Sequence, residues 1–259
     1  MQTLNNRIIE TLIEPAKARS IKDLAVGIKA VGVQLDNEMC GLAYRFAKSD
    51  AYIASSLDIG SFIGRSAAEL LRWLASDEAL YRSLGLAVAN ALLQPSLLSK
   101  IQSEKTEGGS NILEGDVLSV VELRSDDRVG MIGYFEPTAA KISECCRIDI
   151  YEFDTTLAPG LLPSSEAHEG LKKCSVALIT GTTIISDTID RLLEASAGCR
   201  EVVVLGPSTP LLPRLFDGTP VTLISGVTKI SHSILEMIKE GGSMRQFLPF
   251  VSKVNLRVR

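Results

Sequence analysis

The stretch Val176-Ala-Leu-Ile-Thr180-Gly181-Thr182-Thr183 decides the fold class of this chain. Its first four residues are apolar, which is typical of a parallel strand that is covered on both faces of its sheet. Thr180 and Gly181 end the apolar run, and the two threonines that follow begin a segment with helical spacing. The stretch therefore predicts a β-strand that leads directly into an α-helix.

The same order of strand, turn and helix repeats on both sides of this stretch. Five strands are predicted at residues 129–134, 147–153, 176–180, 201–206 and 221–225, and helical segments at 138–144, 165–173, 182–197, 211–216 and 229–239. Such alternation predicts an α/β, doubly wound, mostly parallel Rossmann-like sheet with right-handed crossovers. The strand order stays open between 3-2-1-4-5 and 2-1-3-4-5.

The first hundred residues have an α+β pattern instead. Leu4, Ile8 and Leu12 repeat at helical spacing, and Pro15 is expected to end or kink that helix. Two strand-like runs, 24–35 and 40–46, predict an antiparallel hairpin. Helices follow around residues 67–74 and 80–91, the second capped by Ser76.

A change of composition separates the two patterns. Residues 94–114 contain Pro95, Gly108 and Gly109 among polar residues, which is typical of a linker. A short helix is expected at 114–123. The predicted domains are therefore 1–112 and 113–259.

Composition and charge restrict the classes of function. Of the 259 residues, 46% are hydrophobic and 22% charged, as in globular proteins. A net charge of −4 and a pI near 5.4 argue against a nucleic-acid partner. The sequence has no signal-peptide pattern, and its longest apolar run is about half of the ~20 residues that a membrane helix needs. We expect a soluble, cytoplasmic protein that binds no membrane.

Small and hydroxyl residues follow three of the predicted strands, at the sheet edge where open parallel sheets bind ligands. These residues are Gly133, Tyr134 and Phe135 after the first strand, Gly181, Thr182 and Thr183 after the third, and Gly206, Ser208 and Thr209 after the fourth. Glycine lets a ligand approach the free backbone N–H groups at a helix start. Simple N-capping by Thr182 and Ser208 explains a single turn of this kind better than a ligand site does, whereas for two such turns on one sheet edge the two explanations are equally good.

Assignments of a cofactor or a metal do not follow from the motifs. Glu152 lies near the end of the second strand, where an acid contacts ribose in dinucleotide-binding folds, but Gly130-x-x-Gly133 is not the dinucleotide fingerprint. The cofactor is thus unknown. His168 and His232 are expected on helix surfaces, and the adjacent Cys145 and Cys146 on opposite faces of a strand. The five cysteines are expected to be reduced and mostly buried, so no metal ligand is predicted.

Several of these motifs together resemble the family known as “Putative heavy-metal chelation”. They are Thr180-Gly-Thr-Thr, Gly206-Pro-Ser-Thr, Gly130-Met-Ile-Gly-Tyr-Phe, Gly41-Leu-Ala-Tyr and Leu84-Gly-Leu-Ala-Val-Ala-Asn-Ala. The resemblance implies an enolase-N-terminal-like domain ahead of a Rossmann-like domain. Ser186 departs from the pattern, because the family motif predicts Asn there.

The resemblance also implies a cleft between the domains that binds a small molecule, such as a pterin-like compound or a metal chelate, with a link to corrinoid metabolism. By position, the cleft residues are Gly133, Tyr134, Phe135, Glu152, Gly181, Thr182, Thr183, Gly206, Ser208 and Thr209. Asn90 lies in a helix motif whose role is expected to be structural.

The first hypothesis for function is therefore binding of a small anionic or heteroaromatic metabolite, with any metal arriving inside an organic chelator. A transferase or lyase acting on such a metabolite is the alternative, with Glu136 or Glu152 as acid or base. A third reading is a structural module, and a homodimer is an expected assembly.

Overall fold

A computed structural model describes residues 2–46, 58–107 and 112–258, and within these ranges the chain forms two β-sheets. The first sheet is antiparallel, with the order β1-β2-β3. The second has eight strands in the order β4-β11-β10-β9-β8-β5-β6-β7. Its central strands, β10 through β6, are parallel, so the predicted α/β class with a mostly parallel sheet is confirmed.

The strand and helix bounds are as follows. The strands are β1 (Ile21–Val26), β2 (Ala30–Leu35), β3 (Cys40–Tyr44), β4 (Ile112–Glu114), β5 (Arg128–Ile132), β6 (Arg147–Glu152), β7 (Leu162–Pro163), β8 (Val176–Thr180), β9 (Glu201–Leu205), β10 (Leu223–Thr228) and β11 (Ser252–Arg257). The α-helices are α1 (Leu4–Lys17), α2 (Ala67–Leu71), α3 (Ala79–Glu107), α4 (Glu136–Ser143), α5 (Ala167–Leu171), α6 (Thr182–Ile185), α7 (Ile189–Ala195), α8 (His232–Lys239) and α9 (Met244–Phe247).

The strand order resolves the two alternatives left by the sequence. Counted over the five predicted strands, β5, β6, β8, β9 and β10, the order is 2-1-3-4-5. The chain runs outward from β5 to β6 and then returns to the other side of β5 with β8. This reversal creates a switch point between β5 and β8, and Gly133 accordingly lies beside Thr180.

Helices cover both faces of the second sheet. Val129 and Met131 of β5 belong to a core cluster with Ala139 and Ile142 of α4. On the opposite face, Ala177 and Ile179 of β8 pack in a cluster with residues of α5, α6 and α7. The sheet is therefore doubly wound. Its central strands are apolar along almost their whole length because helices cover both of their faces, as the sequence predicted.

The first sheet lies between α3 and α8. All six residues of β2 are buried, since both faces are covered. On the α3 side, a side chain at Gly41 would overlap the backbone of Ala87 and Ala91. On the α8 side, Ala25 and Leu42 belong to a cluster that includes residues of α8. A helix that follows β10 in sequence thus completes the core of the first sheet.

The predicted linker at 94–114 is wrong for residues 94–107, which continue α3; residues 108–111 lie outside the described ranges. Pro95 stays inside the helix because Leu93 and Leu97 are buried, and the Gln94 Oε1 atom accepts a hydrogen bond of 2.8 Å from the Thr228 hydroxyl. Tertiary packing thereby overrides the local cost of proline. Although α3 has 29 residues, no helix in the described ranges is long and apolar enough to cross a membrane.

Other departures have local causes. The predicted strand 24–35 is two strands, β1 and β2, joined by a turn at Gly27. The predicted helix 182–197 is two helices, because Asp187 has a φ of 57°. Residues 114–123 contain a 3-10 turn at Val117–Ser119 rather than an α-helix, and α1 continues through Pro15. The helix α3 begins at Ala79, so Ser76 is not its N-cap; the Ser76 hydroxyl accepts a hydrogen bond from Glu78 N in the turn before the helix. The boundary between the two predicted domains stays a prediction.

We expect Gly41→Ala to lower the free energy of unfolding by about 1–3 kcal/mol, because the added methyl group forces α3 away from β3. Chemical denaturation measures this change. Gly198→Ala is the matched control, since a methyl group there meets no atom within 4 Å. Equal stability of the two variants would contradict the packing described here.

Candidate functional site

The predicted ligand residues gather at the carboxyl edge of the second sheet. Gly133 follows β5 and Gly206 follows β9, with φ angles of 87° and 108° that favour glycine. The Phe135 ring lies 3.6 Å from a Cβ placed at Gly133 and 3.7 Å from one at Gly206. The half-buried Phe135 ring therefore packs against both turns.

Protein atoms fill the half of this edge that lies over β8 and β9. A Cβ at Gly181 would lie 2.8 Å from the Thr209 N and Oγ1 atoms, so the glycine allows two loops to touch. Thr183 is 3% exposed, and its hydroxyl donates to the Thr180 carbonyl at 2.6 Å. The nearby Thr182 hydroxyl lies 3.1 Å from that of Thr180. Binding of a ligand by these residues stays a prediction, and the structure places most of them inside the protein.

The first sheet also covers the half of the edge that lies over β8 and β9. The Ser208 hydroxyl accepts a hydrogen bond of 2.8 Å from Tyr44 N, at the end of β3. The buried Asn90 amide of α3 donates to the Leu42 carbonyl at 3.0 Å and to the Ser208 carbonyl at 3.5 Å. Asn90 thus joins the first sheet to a loop of the second, which agrees with the structural role expected for it.

One buried hydroxyl in this region lacks a partner within the described residues. Thr209 is 2% exposed, and its Oγ1 atom has no hydrogen-bond partner there. A small space of about 10 Å³ adjoins Thr209 and Asn90. That volume fits a single water molecule and excludes a metabolite.

The half of the edge over β5 and β6 is open. Tyr134 follows β5 and lines a cavity of about 350 Å³ between α4, β6 and the loop after β6. Other lining residues are Glu136, Ala139, Ala140, Ser143, Ile148, Ile150, Ala158, Pro159, Gly160 and Leu161. The volume lies within the range of small-molecule sites, ~300–1,000 Å³. The sequence indicated Tyr134 as a ligand residue and Glu136 as an acid or base of the alternative hypothesis, but the other residues of α4 and those of the loop belong to no motif that would reveal them.

Glu152 stabilises the loop beside this cavity. Its Oε2 atom accepts a hydrogen bond of 2.9 Å from Tyr134 N, and its Oε1 atom accepts one of 2.7 Å from Phe153 N. The carboxylate thereby connects the turn after β5 with the end of β6. Its predicted place at the sheet edge is observed, while its contact with a ligand stays a prediction.

Three aromatic rings in contact connect the end of β3 with Phe153, the residue after Glu152. The ring centroids of Tyr44 and Phe46 are 5.2 Å apart, and those of Phe46 and Phe153 are 6.0 Å apart, both in edge-to-face contact. Phe153 is 63% exposed. Burial raises the pKa of the Tyr44 phenol, and the negative charge of Glu152 raises it further.

Three other polar or acidic side chains form contacts within the protein. Glu136 is exposed, and its Oε2 atom lies 3.0 Å from Arg245 Nη2. The Asp154 carboxylate accepts a hydrogen bond of 3.1 Å from Thr156 N and so begins a 3-10 turn. Ser186, the departure from the family motif, lies 2.9 Å from the Thr188 hydroxyl.

Cys145 and Cys146 differ from the prediction. They lie in the turn before β6 rather than on the strand, and Cys145 is exposed. The expectation of burial holds for Cys40 and Cys174. Burial raises the pKa of the Cys40 and Cys199 thiols to about 11, so both are protonated at neutral pH and are poor metal ligands.

Three side chains outside this edge have a donor set that fits a divalent metal ion. The donor atoms of Asp23, His232 and Glu236 all lie within 4.8 Å of one another. His232 lies on the surface of α8, where the sequence predicted it, although no metal ligand was predicted. The spacing of His232 and Glu236 by one helical turn is visible in the sequence, whereas the approach of Asp23 depends on the tertiary fold.

Comparisons with known proteins agree with this architecture. Residues 116–257 match a family described as “Putative heavy-metal chelation”, and residues 9–93 match a second family with the same description. A protein of unknown function from Pyrococcus horikoshii has a TM-score of 0.84 at 19% identity, covering 98% of this chain and 100% of that one. One from Desulfitobacterium hafniense has a TM-score of 0.80 at 21% identity, covering 98% of both chains. These likenesses show the fold alone.

A curated relative extends the comparison in sequence. An uncharacterized protein of Methanocaldococcus jannaschii is 25% identical over 171 residues, which cover 65% of this chain and 62% of that relative. The chain therefore spans less than two thirds of the length of this relative. The cytoplasmic location and the homodimer stay predictions.

We expect Asn90→Ala to lower the free energy of unfolding by about 1–3 kcal/mol, because the carbonyls of Leu42 and Ser208 lose a buried donor. Chemical denaturation measures the loss. Ser99→Ala, an exposed change on the same helix, is the control and should have little effect. An unchanged midpoint for Asn90→Ala would show that this amide does not join the two sheets.

We expect Glu152→Gln to lower the pKa of Tyr44, because the substitution removes a negative charge that opposes ionisation of the phenol. The ultraviolet titration of tyrosinate, compared with Tyr44→Phe, isolates this signal. A phenol with a raised pKa in the folded state reduces stability as pH rises from the unfolded to the folded pKa, and this reduction should be smaller in Glu152→Gln. Glu136→Gln is the control, and an equal shift there would exclude a specific effect of Glu152.

Proposed function

The chain belongs to the family described as “Putative heavy-metal chelation”, and we propose that it binds a small, planar heteroaromatic metabolite, such as a pterin-like metal chelator, at the open half of the sheet edge. The observation that carries this proposal is the cavity of about 350 Å³ beside Tyr134. Tyr134 lies in the turn after β5, at the edge of the sheet where open parallel sheets bind their ligands, and the rest of the lining comes from α4, β6 and the loop after β6.

The lining of the cavity supports a flat, largely apolar ligand. Ile148 and Ile150 of β6 form one wall and Ala139 of α4 forms another. The Tyr134 ring at the sheet edge offers a face for stacking on an aromatic ring. Apolar walls with a few polar groups are typical of sites for small organic molecules.

The charges around the cavity favour a heteroaromatic ligand over an anionic one. The carboxylate of Glu136 lines the cavity, and that of Glu152 holds the neighbouring loop. A ligand carboxylate or phosphate would meet these negative charges, although the ion pair with Arg245 reduces the repulsion from Glu136. Ring N–H groups would instead find acceptors there, so of the two ligand classes considered in the sequence analysis the structure supports the heteroaromatic one.

No observation at this edge favours the alternative of a transferase or lyase. Glu152 accepts hydrogen bonds from two backbone N–H groups through separate oxygens, which suits a positioning role better than proton transfer. Glu136 is exposed and forms an ion pair with Arg245. Neither carboxylate has the secluded setting that general acid–base catalysis favours.

The test uses the full chain and isothermal titration with pterin and lumichrome as planar probes and citrate as an anionic probe. We expect a planar probe to bind and citrate not to bind. Tyr134→Ala should weaken binding by about tenfold, through the loss of stacking and burial. Ala140→Trp should abolish binding, because the indole would occupy the cavity.

Phe250→Ala is the matched control, since Phe250 is an aromatic side chain with 59% exposure that is not part of the lining. It should leave the affinity unchanged. Unaltered affinity in Ala140→Trp, or tighter binding of citrate than of either planar probe, would overturn the proposal.

A further inference from the structure

The geometry points to a second site of different chemistry: we propose that Asp23, His232 and Glu236 bind a divalent transition-metal ion where α8 packs on the first sheet. The donor atoms of all three lie within 4.8 Å of one another. None of these residues lines the cavity beside Tyr134. The proposal therefore goes beyond the proposed function and does not depend on it.

Each of the two carboxylates lies close to one nitrogen of the His232 imidazole. His232 Nε2 lies 3.4 Å from Glu236 Oε1, and His232 Nδ1 lies 3.7 Å from Asp23 Oδ2. Both distances exceed the usual hydrogen-bond length of ~3 Å. Two ligands bound at ~2.1 Å in tetrahedral geometry lie about 3.4 Å apart. An ion held by all three side chains would use one nitrogen of the ring, and the three donor atoms lie within 4.8 Å of one another before the side chains adjust to the ion.

The backbone holds these donors in place. His232 and Glu236 lie one turn apart on the same side of α8. Asp23 lies at an irregularity in β1, where the register with β2 shifts. Its Oδ1 atom accepts a hydrogen bond of 2.8 Å from Leu24 N, which leaves Oδ2 facing α8. The three donors therefore come from β1 and α8, which pack against each other.

The carboxylates of the proposed site already bind a positively charged side chain. Lys239 Nζ lies 2.7 Å from Asp23 Oδ2 and 2.9 Å from Glu236 Oε1. The ammonium group thus bridges the two carboxylates in the absence of metal. Its side chain is 39% exposed, so it can turn into solvent when an ion enters. Lys239 competes with the ion, and its removal should tighten metal binding.

The donor set indicates which ions bind. One imidazole nitrogen with two carboxylates suits Zn²⁺, Ni²⁺ or Co²⁺ better than Mg²⁺ or Ca²⁺, which prefer oxygen ligands alone. Three protein ligands leave a fourth position for water or for an external donor. A bound ion would link β1 to α8 and so stabilise the packing of the first sheet.

The test measures Zn²⁺ binding by competition with a chromophoric chelator, using the full chain with Cys145→Ser and Cys146→Ser so that exposed thiols do not interfere. We expect one equivalent of Zn²⁺ to bind saturably. His232→Ala and the isosteric Glu236→Gln should each weaken binding by about tenfold or more. Lys239→Met should tighten it by about tenfold, because a competing charge has been removed. Glu240→Gln, an exposed change on the following residue, is the control and should have no effect.

Thermal unfolding gives an independent readout. Saturating Zn²⁺ should raise the Tm of the parent and of Lys239→Met, and leave that of His232→Ala unchanged, because an ion stabilises the state that binds it. Absence of saturable binding by the parent, or equal affinity in the parent and His232→Ala, would overturn the proposal. Either result would leave binding of planar probes at Tyr134 unaffected, so the two proposals fail separately.

Discussion

The contact between α3 and β3 is the constraint on which the rest of the structure depends. It requires Gly41, because any side chain there would overlap the backbone of Ala87 and Ala91. This close approach brings Asn90 within reach of both the first sheet and the Ser208 loop. One turn further along α3, Gln94 reaches Thr228 at the end of β10. A single helix thereby positions the first sheet over the carboxyl edge of the second.

That arrangement determines which part of the edge is available to a ligand. The loops after β8 and β9 are occupied by their contacts with one another, with β3 and with α3. The loop after β6 contacts the chain that follows β3 through Phe153 and Phe46, and farther along it borders the cavity beside Tyr134 together with α4 and β6. The glycine and hydroxyl motifs that draw attention in the sequence thus serve mainly to join the two sheets, while the open surface is formed by less distinctive residues of α4 and β6.

The sequence predicted what depends on local pattern. Apolar runs such as Val176–Thr180 identified the parallel strands, and the turns that follow them identified the ligand-binding edge. Contacts between segments that are far apart in the chain could not be predicted from the sequence. Leu93 and Leu97 keep α3 helical through Pro95 only because other elements cover them, and β11 was missed because its partners β10 and β4 define it. The proximity of Asp23 to His232 likewise follows from the docking of α8, which the separate sequence patterns of β1 and α8 do not encode.

The covering of the first sheet by α8 has a consequence for the order in which the chain matures. Strands β1 to β3 are made early on the ribosome, but one apolar face of their sheet, including Ala25 and Leu42, is covered by a helix that ends at Lys239. Until that helix has emerged, the face stays exposed to solvent and to other nascent chains. The core of the first sheet is therefore completed only after β10 and α8 have been made, although all three of its own strands precede them in the chain.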